Sequence, residues 1–245
     1  MPADTSDTHP INSVWTRAHR PQREQLTREQ IVTTAIEMLD AEGVAALSMR
    51  KLGSRMGAAA TSLYRHVANR DELIQLAVDE AYGEIKLPDT ATGTQWRPEV
   101  THLATELRDM VLRHPWIAPE LGQVGLIHIG PNATRMASGV LAQFEAAGFP
   151  ADETDQAMGT LMAYVIGNAT TEAAYLSLIA RSGKTEREWV AGLRPAFDEA
   201  SQDHPRLRAG SSARQDLSPR RIRDDSFAYG LDRVLDGLVA RLRRS

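Results

Sequence analysis

The sequence predicts an all-α protein, with a small N-terminal helical unit followed by a larger helical domain. Apolar residues recur at three- and four-residue spacing, the period of one face of an α-helix. No segment alternates apolar and polar residues with the period of two that a half-buried strand shows. Residues that start and stop helices divide the chain into stretches of ordinary helix length.

The first helix is predicted from Thr27 to Gly43. Thr27 followed by Gln30 is a capping-box pattern, in which each side chain satisfies a backbone N–H group of the other residue. Apolar residues from Ile31 onward form one face, and Gly43 supplies a stop. This helix should support the two that follow. Its N-terminus, with Thr27 and Arg28, can point at an anionic group such as a phosphate.

Two shorter helices joined by a glycine turn are predicted next. Ser48 can cap the first, because its hydroxyl can accept a hydrogen bond from an unpaired backbone N–H. Gly57 follows the last apolar residue of that helix, where a positive φ would end it. Small residues at 58–62 open the second helix, and Leu63 and Val67 can pack inward. This pattern predicts a helix-turn-helix. Its second helix suits the DNA major groove, because small residues allow close approach and polar groups reach phosphates and base edges.

The same stretch matches a known family. Gly57, the run Leu63-Tyr64-x-His66-Val67 and the run Asn69-Arg70-x-x-Leu73 stand at that family's spacing. On these residues the segment resembles the N-terminal DNA-binding domain of the TetR family of bacterial transcriptional repressors. The alternative is an ordinary pair of helices whose Tyr64 and His66 are satisfied in a core. The preceding helix and the all-helical remainder favour the family.

The resemblance implies a set of DNA contacts. Tyr64, His66 and Arg70 are expected to hold phosphates, residues 59–62 to face the groove, and Arg50 to reach a guanine edge. Together with the N-terminus of the first helix, the predicted DNA-binding residues are Thr27, Arg28, Ser48, Met49, Arg50, Ala59, Ala60, Thr61, Ser62, Tyr64, Arg65, His66 and Arg70.

The chain divides into three parts. Residues 1–26 are polar and contain three prolines, which predicts a flexible arm. Its arginines suggest two alternatives. The arm either contacts the minor groove or the phosphates of DNA, or is a solvated tail, which is the alternative that we favour. Residues 27–73 are the DNA-binding domain, and residues 74–245 a ligand-binding and dimerisation domain. The segment 87–97 is turn-rich and marks the boundary.

Six helices are predicted after the motif. They run from Asn69 to Pro88, from Pro98 to His114, over 131–147, over 152–180, from Thr185 to a break or restart at Pro195, and over 225–243. Short elements are expected between 116 and 129, and a polar, mobile loop at about 204–225. The helix that starts at Asn69 begins beside the DNA-reading unit and ends in the second domain. It is therefore the natural lever between them.

The second domain resembles, more loosely, the C-terminal domain of the tetracycline repressor. The match lies in Trp96, the pair His114-Pro115 and the run Phe227-x-Tyr229-Gly230-Leu231. It implies a pocket whose inducer moves the lever helix and changes the separation of the recognition helices. It does not imply tetracycline as the ligand, because that drug's contacts cannot be placed here residue by residue. The predicted pocket residues, which are plain core in the simpler interpretation, are His102, Leu103, Leu107, Met110, Trp116, Met136, Met162 and Asn168.

Two helices are candidates for a homodimer interface. The helix over 152–180 carries small residues, including Gly159, Ala163 and Gly167, that would let a partner helix approach closely. The helix over 225–243 has one apolar face. A single helix-turn-helix reads few bases, whereas a two-fold dimer reads two half-sites about 34–36 Å apart. The resemblance implies the same two helices.

Composition excludes several other classes of protein. The absence of cysteine excludes disulfides, thiolate nucleophiles and cysteine zinc sites. No apolar run reaches membrane-spanning length and the N-terminus lacks an apolar signal core, so a cytoplasmic protein without membrane contact is expected. Net charge is −4, yet residues 17–73 carry nine basic and seven acidic side chains. The basic excess lies with the motif, where phosphate attraction acts.

An enzyme is the main competing class. His102 and Glu106 share a helix face, but a metal site needs three or four converging ligands. No Ser/His/Asp order, phosphate-cradling glycine loop or carboxylate pair stands out. We therefore predict a ligand-responsive repressor with no catalytic residue, metal or cofactor. The alternatives are a helical interaction protein and an activator without small-molecule induction.

Overall fold

The computed structural model describes residues 26–88, 95–121, 130–206 and 217–242. Within these ranges the chain forms ten α-helices and two 3-10 turns, with no strand, which confirms the predicted fold class. None of these helices is long and apolar enough to cross a membrane. The predicted arm lies outside the described residues except for Leu26, as does the middle of the predicted loop at 207–216.

The N-terminal unit is built from four helices. They are α1 (Arg28–Glu42), α2 (Met49–Arg55), α3 (Ala60–Leu63) and α4 (Arg70–Gly83), with a 3-10 turn (Val44–Ala46) between the first two. Helix α1 packs against α4, and α2 against α3. The two short helices of the motif are therefore held on a scaffold of two longer ones.

Six further helices build the second part of the chain. They are α5 (Trp96–Arg113), α6 (Ala118–Leu121), α7 (Pro131–Ala146), α8 (Ala151–Ser182), α9 (Glu186–Ala200) and α10 (Pro219–Leu242), with a 3-10 turn (Pro115–Ile117) before α6. Helix α5 packs against α8, α8 against α10, and α4 against α7. One continuous hydrophobic core runs from α1 to α10.

Two helix ends near the domain boundary differ from prediction. Helix α4 ends at Gly83 instead of Pro88, because the N–H of Glu84 turns back to the carbonyl of Ala81. Helix α5 begins at Trp96, two residues before Pro98. Pro98 still lies in the first turn, where a missing N–H has no helical partner to lose.

Two predictions near the C-terminus were also wrong. Helix α9 continues through Pro195. The proline leaves the carbonyl of Ala191 without its helical donor, and that exposed carbonyl can bind water instead. Helix α10 begins at Pro219, so the last part of the predicted loop is helical. The hydroxyl of Ser218 accepts from the N–H of Arg221 at 3.3 Å and caps this earlier start.

A buried ion pair ties α5, α8 and α10 together. The guanidinium of Arg108 donates to both oxygens of Glu172, at 2.7 and 2.8 Å, and both side chains are 6% exposed. Arg108 also bonds Asp224 at 2.9 Å, and Arg223 bonds Glu172 at 2.7 Å. Arg223 pairs with Glu186 at the start of α9 as well. The charged start of α10 is therefore ordered by carboxylates from two other helices.

The lever helix α4 is fastened to α7 by one carboxylate. Asp79 accepts from the backbone N–H groups of Asn132 and Ala133, at 3.1 and 3.0 Å, where the first turn of α7 leaves donors free. A Cβ at Gly130 would lie 2.1 Å from this carboxylate, so any larger residue there would push the Asp79 side chain away. Burial, with the charge of Asp79, raises the pKa of the nearby Tyr82 to about 12, so its phenol stays neutral. Asp79 therefore joins α4 directly to the start of α7.

Candidate DNA-binding surface

Helix α1 presents its N-terminus as predicted. Thr27 accepts from the N–H of Gln30 at 3.2 Å, and the Gln30 side chain accepts from the N–H of Thr27 at 3.1 Å. Ile31, Ala35 and Leu39 are buried beneath the motif. The capping box thus fixes the start of the scaffold helix, and both capping side chains remain exposed.

The turn of the motif depends on two glycines with different tasks. Gly57 has φ +63°, the left-handed conformation that ends α2. Gly53 is buried on α2, and its carbonyl accepts from the N–H of Ala58 at 2.8 Å. A Cβ at Gly53 would lie 2.8 Å from the carbonyl oxygen of Ala58 and 3.2 Å from the N atom of Ala60. Glycine at this position lets α2 approach the start of α3.

Helix α3 and the turn that follows it, residues 60–67, contain both buried apolar and exposed polar side chains. Leu63 and Val67 are fully buried, as the spacing predicted. Tyr64 is 52% exposed, which excludes the interpretation in which it packs in a core. Thr61 and Arg65 are exposed, and His66 is half-buried. The polar side chains at the end of the motif are therefore available to a partner.

A surface cavity with a volume of about 910 Å³ lies beside α3. It brings together Ala59, Ser62, Arg65 and His66, four of the predicted DNA-binding residues. Four other polar residues that line it were not predicted: they are Gln30, Thr34, Glu37 and Arg55. Three of these, at 30, 34 and 37, form the polar face of α1, so their helical spacing could have indicated them.

Two arginines of the motif form no ion pair within the part of the chain that the structure describes. In the described part of the chain, Arg28 pairs with Glu72, Lys51 with Glu42, and Arg55 with Glu37. Arg50 and Arg65 form no ion pair with any described residue, and both are exposed. The resemblance implied that Arg50 reaches a guanine edge and that Arg65 is also a DNA-binding residue. Their lack of internal ion pairs leaves both guanidinium groups available for that task.

Two predicted DNA-binding residues have structural tasks. The side chain of Met49 is 7% exposed and belongs to the core, so the prediction that it contacts DNA is wrong. Arg70 donates to the carbonyl oxygens of Leu47 and Val44, at 3.0 and 2.7 Å, and so fastens α4 to the α1–α2 connection. A phosphate contact by Arg70 stays a prediction and would use its remaining guanidinium nitrogen, which lies 3.6 Å from Asp71.

Comparison with known proteins identifies the family. Residues 31–77 match the family described as bacterial regulatory proteins, tetR family, and residues 87–242 match the tetracyclin repressor-like C-terminal domain. The chain belongs to the TetR family. It is therefore a DNA-binding transcriptional regulator, of a kind that is typically a ligand-responsive repressor.

Relatives of this TetR-family chain support the assignment. A helix-turn-helix transcriptional regulator of Saccharopolyspora erythraea is 39% identical over 173 residues, 70% of this chain and 72% of that protein. The transcriptional repressor DrrR1 of Streptomyces coeruleorubidus is 30% identical over 93% of this chain and 84% of its own. The crystal structure of Streptomyces coelicolor ActR with actinorhodin superposes with a TM-score of 0.69 and 29% identity, covering 88% of this chain and 97% of ActR.

The predicted effector residues mostly lie in the core of the second part. Leu103, Leu107, Met110, Trp116 and Met136 are buried in one cluster. Met162 and Asn168 on α8 are half-buried. His102 does not join them, because its side chain lies on the exposed face of α5, and the prediction that it lines an internal pocket is wrong. Among the described residues no three acidic or histidine side chains converge on a metal position.

Proposed function

We propose that this TetR-family regulator is a repressor that binds a palindromic operator as a homodimer and leaves it when a small apolar or amphipathic effector binds. The observation that carries DNA binding is the exposed end of α3, together with the exposed guanidinium groups of Arg50 and Arg65, which form no ion pair with any described residue. Guanidinium is the group that most often recognises guanine in the major groove. Because operator DNA lies in the bacterial cytoplasm, we expect the protein to act there.

Tyr64 and His66 supply the phosphate contacts in this proposal. Neither side chain forms a hydrogen bond with a described residue that would be lost on binding DNA, and Tyr64 is the more exposed of the two. Hydrogen bonds to a charged phosphate are each worth about 1.5–3 kcal/mol, because they act on an ionised acceptor. Contacts of this kind set the register of α3 in the groove, and the side chains of α3 then meet the bases.

Operator binding tests these roles directly. The fluorescence anisotropy of labelled DNA from the region flanking the protein's own coding sequence is measured in rising salt. We expect affinity to fall steeply with salt, because Lys and Arg release counterions from the phosphates. The double substitution Tyr64→Phe with His66→Gln is expected to weaken binding by at least about tenfold, since the phenol donor is removed and the imidazole donor is replaced by an amide of different reach and geometry.

The control for that measurement is His102→Gln, which changes an exposed histidine on α5 in the same way. It is expected to leave operator affinity unchanged. Equal affinity of the double variant and the unsubstituted protein would remove Tyr64 and His66 from the DNA contact. Addition of apolar or amphipathic compounds to the same complex then identifies the effector by release of the DNA.

The homodimer is proposed through α8 and α10. Gly159, Ala163 and Gly167 lie exposed at four-residue spacing on one face of α8, and a Cβ at either glycine would meet nothing within 4 Å. On α10, Tyr229 is 66% exposed. Helix α9 adds uncovered apolar side chains, with Leu193 52% exposed. A second copy would cover such surfaces and would place two recognition helices for two half-sites.

The substitution Gly167→Arg tests this interface. The new side chain has space within one chain, so the fold is expected to persist, but a charged side chain on the close-approach face would keep a second copy away. Sedimentation velocity is expected to give the mass of one 27.0 kDa chain for this variant and of two for the unsubstituted protein. Ser138→Arg, on the exposed side of α7, is the control and should remain dimeric. A dimeric Gly167→Arg protein would exclude this face of α8.

The effector is proposed to bind in the second part of the chain, between α5, α7 and α8. Support comes from ActR, a structural relative that was crystallised with actinorhodin. The cluster around Met110 and Met136 is apolar, and methionine adapts to ligands of different shape. Because Asp79 fastens α4 to α7, an effector that shifts α7 would move the lever helix and the DNA-binding unit with it.

A further inference from the structure

His114 lies where three elements of the two domains meet. Its side chain is 8% exposed. Its Nδ1 atom is 2.7 Å from Oδ1 of Asp40, on α1 of the DNA-binding unit. Its Nε2 atom is 2.9 Å from Oε1 of Glu84, which follows α4. One imidazole at the end of α5 therefore connects both the scaffold helix and the lever helix to the second domain.

The number of protons on the imidazole decides whether both bonds can exist. A neutral imidazole carries one N–H and can donate to one carboxylate only, whereas an ionised carboxylate can only accept. With carboxylate oxygens at hydrogen-bonding distance from both nitrogens, the arrangement is satisfied when both nitrogens are protonated. The ring is then an imidazolium with two charge-assisted hydrogen bonds. Loss of one proton turns one of these bonds into a contact between two acceptors.

Neighbouring donors favour the ionised form of Glu84, so that the proton between it and His114 belongs to the imidazole. Arg113 on α5 donates to the other oxygen of Glu84, at 3.1 and 2.7 Å. Burial opposes the charge of Glu84, but the hydrogen bonds from Arg113 and His114 outweigh it and lower the pKa of this carboxyl. Asp40 also accepts from the indole N–H of Trp116 at 2.6 Å. Among the described residues, the charged groups in hydrogen-bonding contact with the imidazole are these two carboxylates.

We propose that Asp40, His114 and Glu84 form a proton-dependent clamp between the DNA-binding unit and the second domain. The imidazolium holds α1 and the end of α4 against the end of α5, and release of its proton lets the DNA-binding unit change orientation. Imidazole is the side chain whose charge ordinarily changes between about pH 5 and 8. Trp116 extends the clamp inward, because its ring lies in the core of the second domain while its N–H holds Asp40.

The distance between two spin labels tests the clamp without DNA. The chain contains no cysteine, so Ser54→Cys on α2 and Ser138→Cys on α7 place one label on each domain at exposed positions. Labelled chain is mixed with excess unlabelled chain, and the distance distribution is measured by pulsed electron resonance. We expect one narrow peak at about pH 5.5 and a broader or shifted distribution at about pH 8.5, two values that bracket the range in which imidazole ordinarily changes charge.

Two substitutions distinguish the effect of losing the proton from the effect of losing the clamp's hydrogen bonds. His114→Gln is expected to give the broad distribution at both pH values. Asp40→Asn is expected to give the narrow one at both, because an amide can donate to a neutral imidazole nitrogen while its oxygen still accepts from Trp116. His102→Gln, an exposed histidine on the same helix, should behave like the unsubstituted chain.

A distribution that is the same at both pH values in the unsubstituted protein would overturn the proposal. So would a His114→Gln protein that still responds to pH as the unsubstituted protein does. Because no DNA or effector is present, this result is independent of whether the operator and effector assignments hold. The unsubstituted protein alone gives the pH comparison, so a variant that fails to fold does not remove the test.

Discussion

Replacing Glu172 with glutamine is expected to lower the free energy of unfolding by about 3–5 kcal/mol, the loss typical when one partner of a buried ion pair is removed. Glu172 accepts from Arg108 with both oxygens and from Arg223 with one of them. Glutamine keeps the shape of the side chain but removes its charge. It also replaces one carboxylate oxygen, an acceptor, with an NH2 group that can only donate. Two buried or half-buried guanidinium groups would then face an amide that cannot neutralise them.

Chemical denaturation followed by tryptophan fluorescence measures this loss, at one fixed protein concentration because association adds to apparent stability. The control is Asp225→Asn, the same change of carboxylate to amide on α10. Asp225 pairs with Arg221 at 2.8 Å, but both side chains are more than half exposed. Its loss is expected to cost about 0.5 kcal/mol or less, because exposed pairs are screened by water. Equal effects of the two substitutions would contradict the structural role of the buried pair.

Replacing Gly53 with alanine is expected to cost about 1–3 kcal/mol of stability, the usual cost of overpacking, and to abolish specific operator binding. The added methyl would lie 2.8 Å from the carbonyl oxygen of Ala58, which is backbone and cannot swing aside. The start of α3 must therefore move away from α2. That displacement changes the position of the recognition helix, which has to fit the major groove closely.

The matched control for Gly53 is Gly192→Ala on α9, where a Cβ would meet nothing within 4 Å. There the same substitution is expected to stabilise the protein by about 0.5–1 kcal/mol, because alanine favours a helix interior over glycine. Thermal unfolding and the operator anisotropy assay are run on both proteins. A Gly53→Ala protein with unchanged stability and operator affinity would show that α2 and α3 can separate without cost.

Local chemistry explains why much of the fold could be predicted. The capping boxes at Thr27 and Thr185 and the glycine stop at Gly43 each involve residues only a few positions apart. Hydrogen bonds of such short reach are the same in any fold that contains the helix. The motif around Gly57 was predicted for the same reason, since turn and helix geometry follow from neighbouring residues.

Three of the errors come from packing or pairing between residues far apart in the sequence. Helix α10 begins at Pro219, although its start reads as a polar loop, because Arg223 and Asp224 pair with charges on α5, α8 and α9. In the sequence nothing distinguishes Met49 from its neighbours Ser48 and Arg50 as a DNA contact, but the packing of the N-terminal unit buries its side chain. His102 precedes the buried Leu103 in the sequence, but the rotation of α5 leaves the His102 side chain exposed.

The sequence by itself determined the all-helical class, the helix-turn-helix and the family, because caps, glycine stops and helical periodicity act within a few residues. Only the tertiary structure decided which arginines remain free for DNA, since the partners of Arg28 and Arg70 lie 44 and 23 to 26 residues away. It also brought Asp40, Glu84 and His114 together across separations of 74 and 30 residues. No local pattern encodes such a cluster, because its members meet only when the core of both domains is packed.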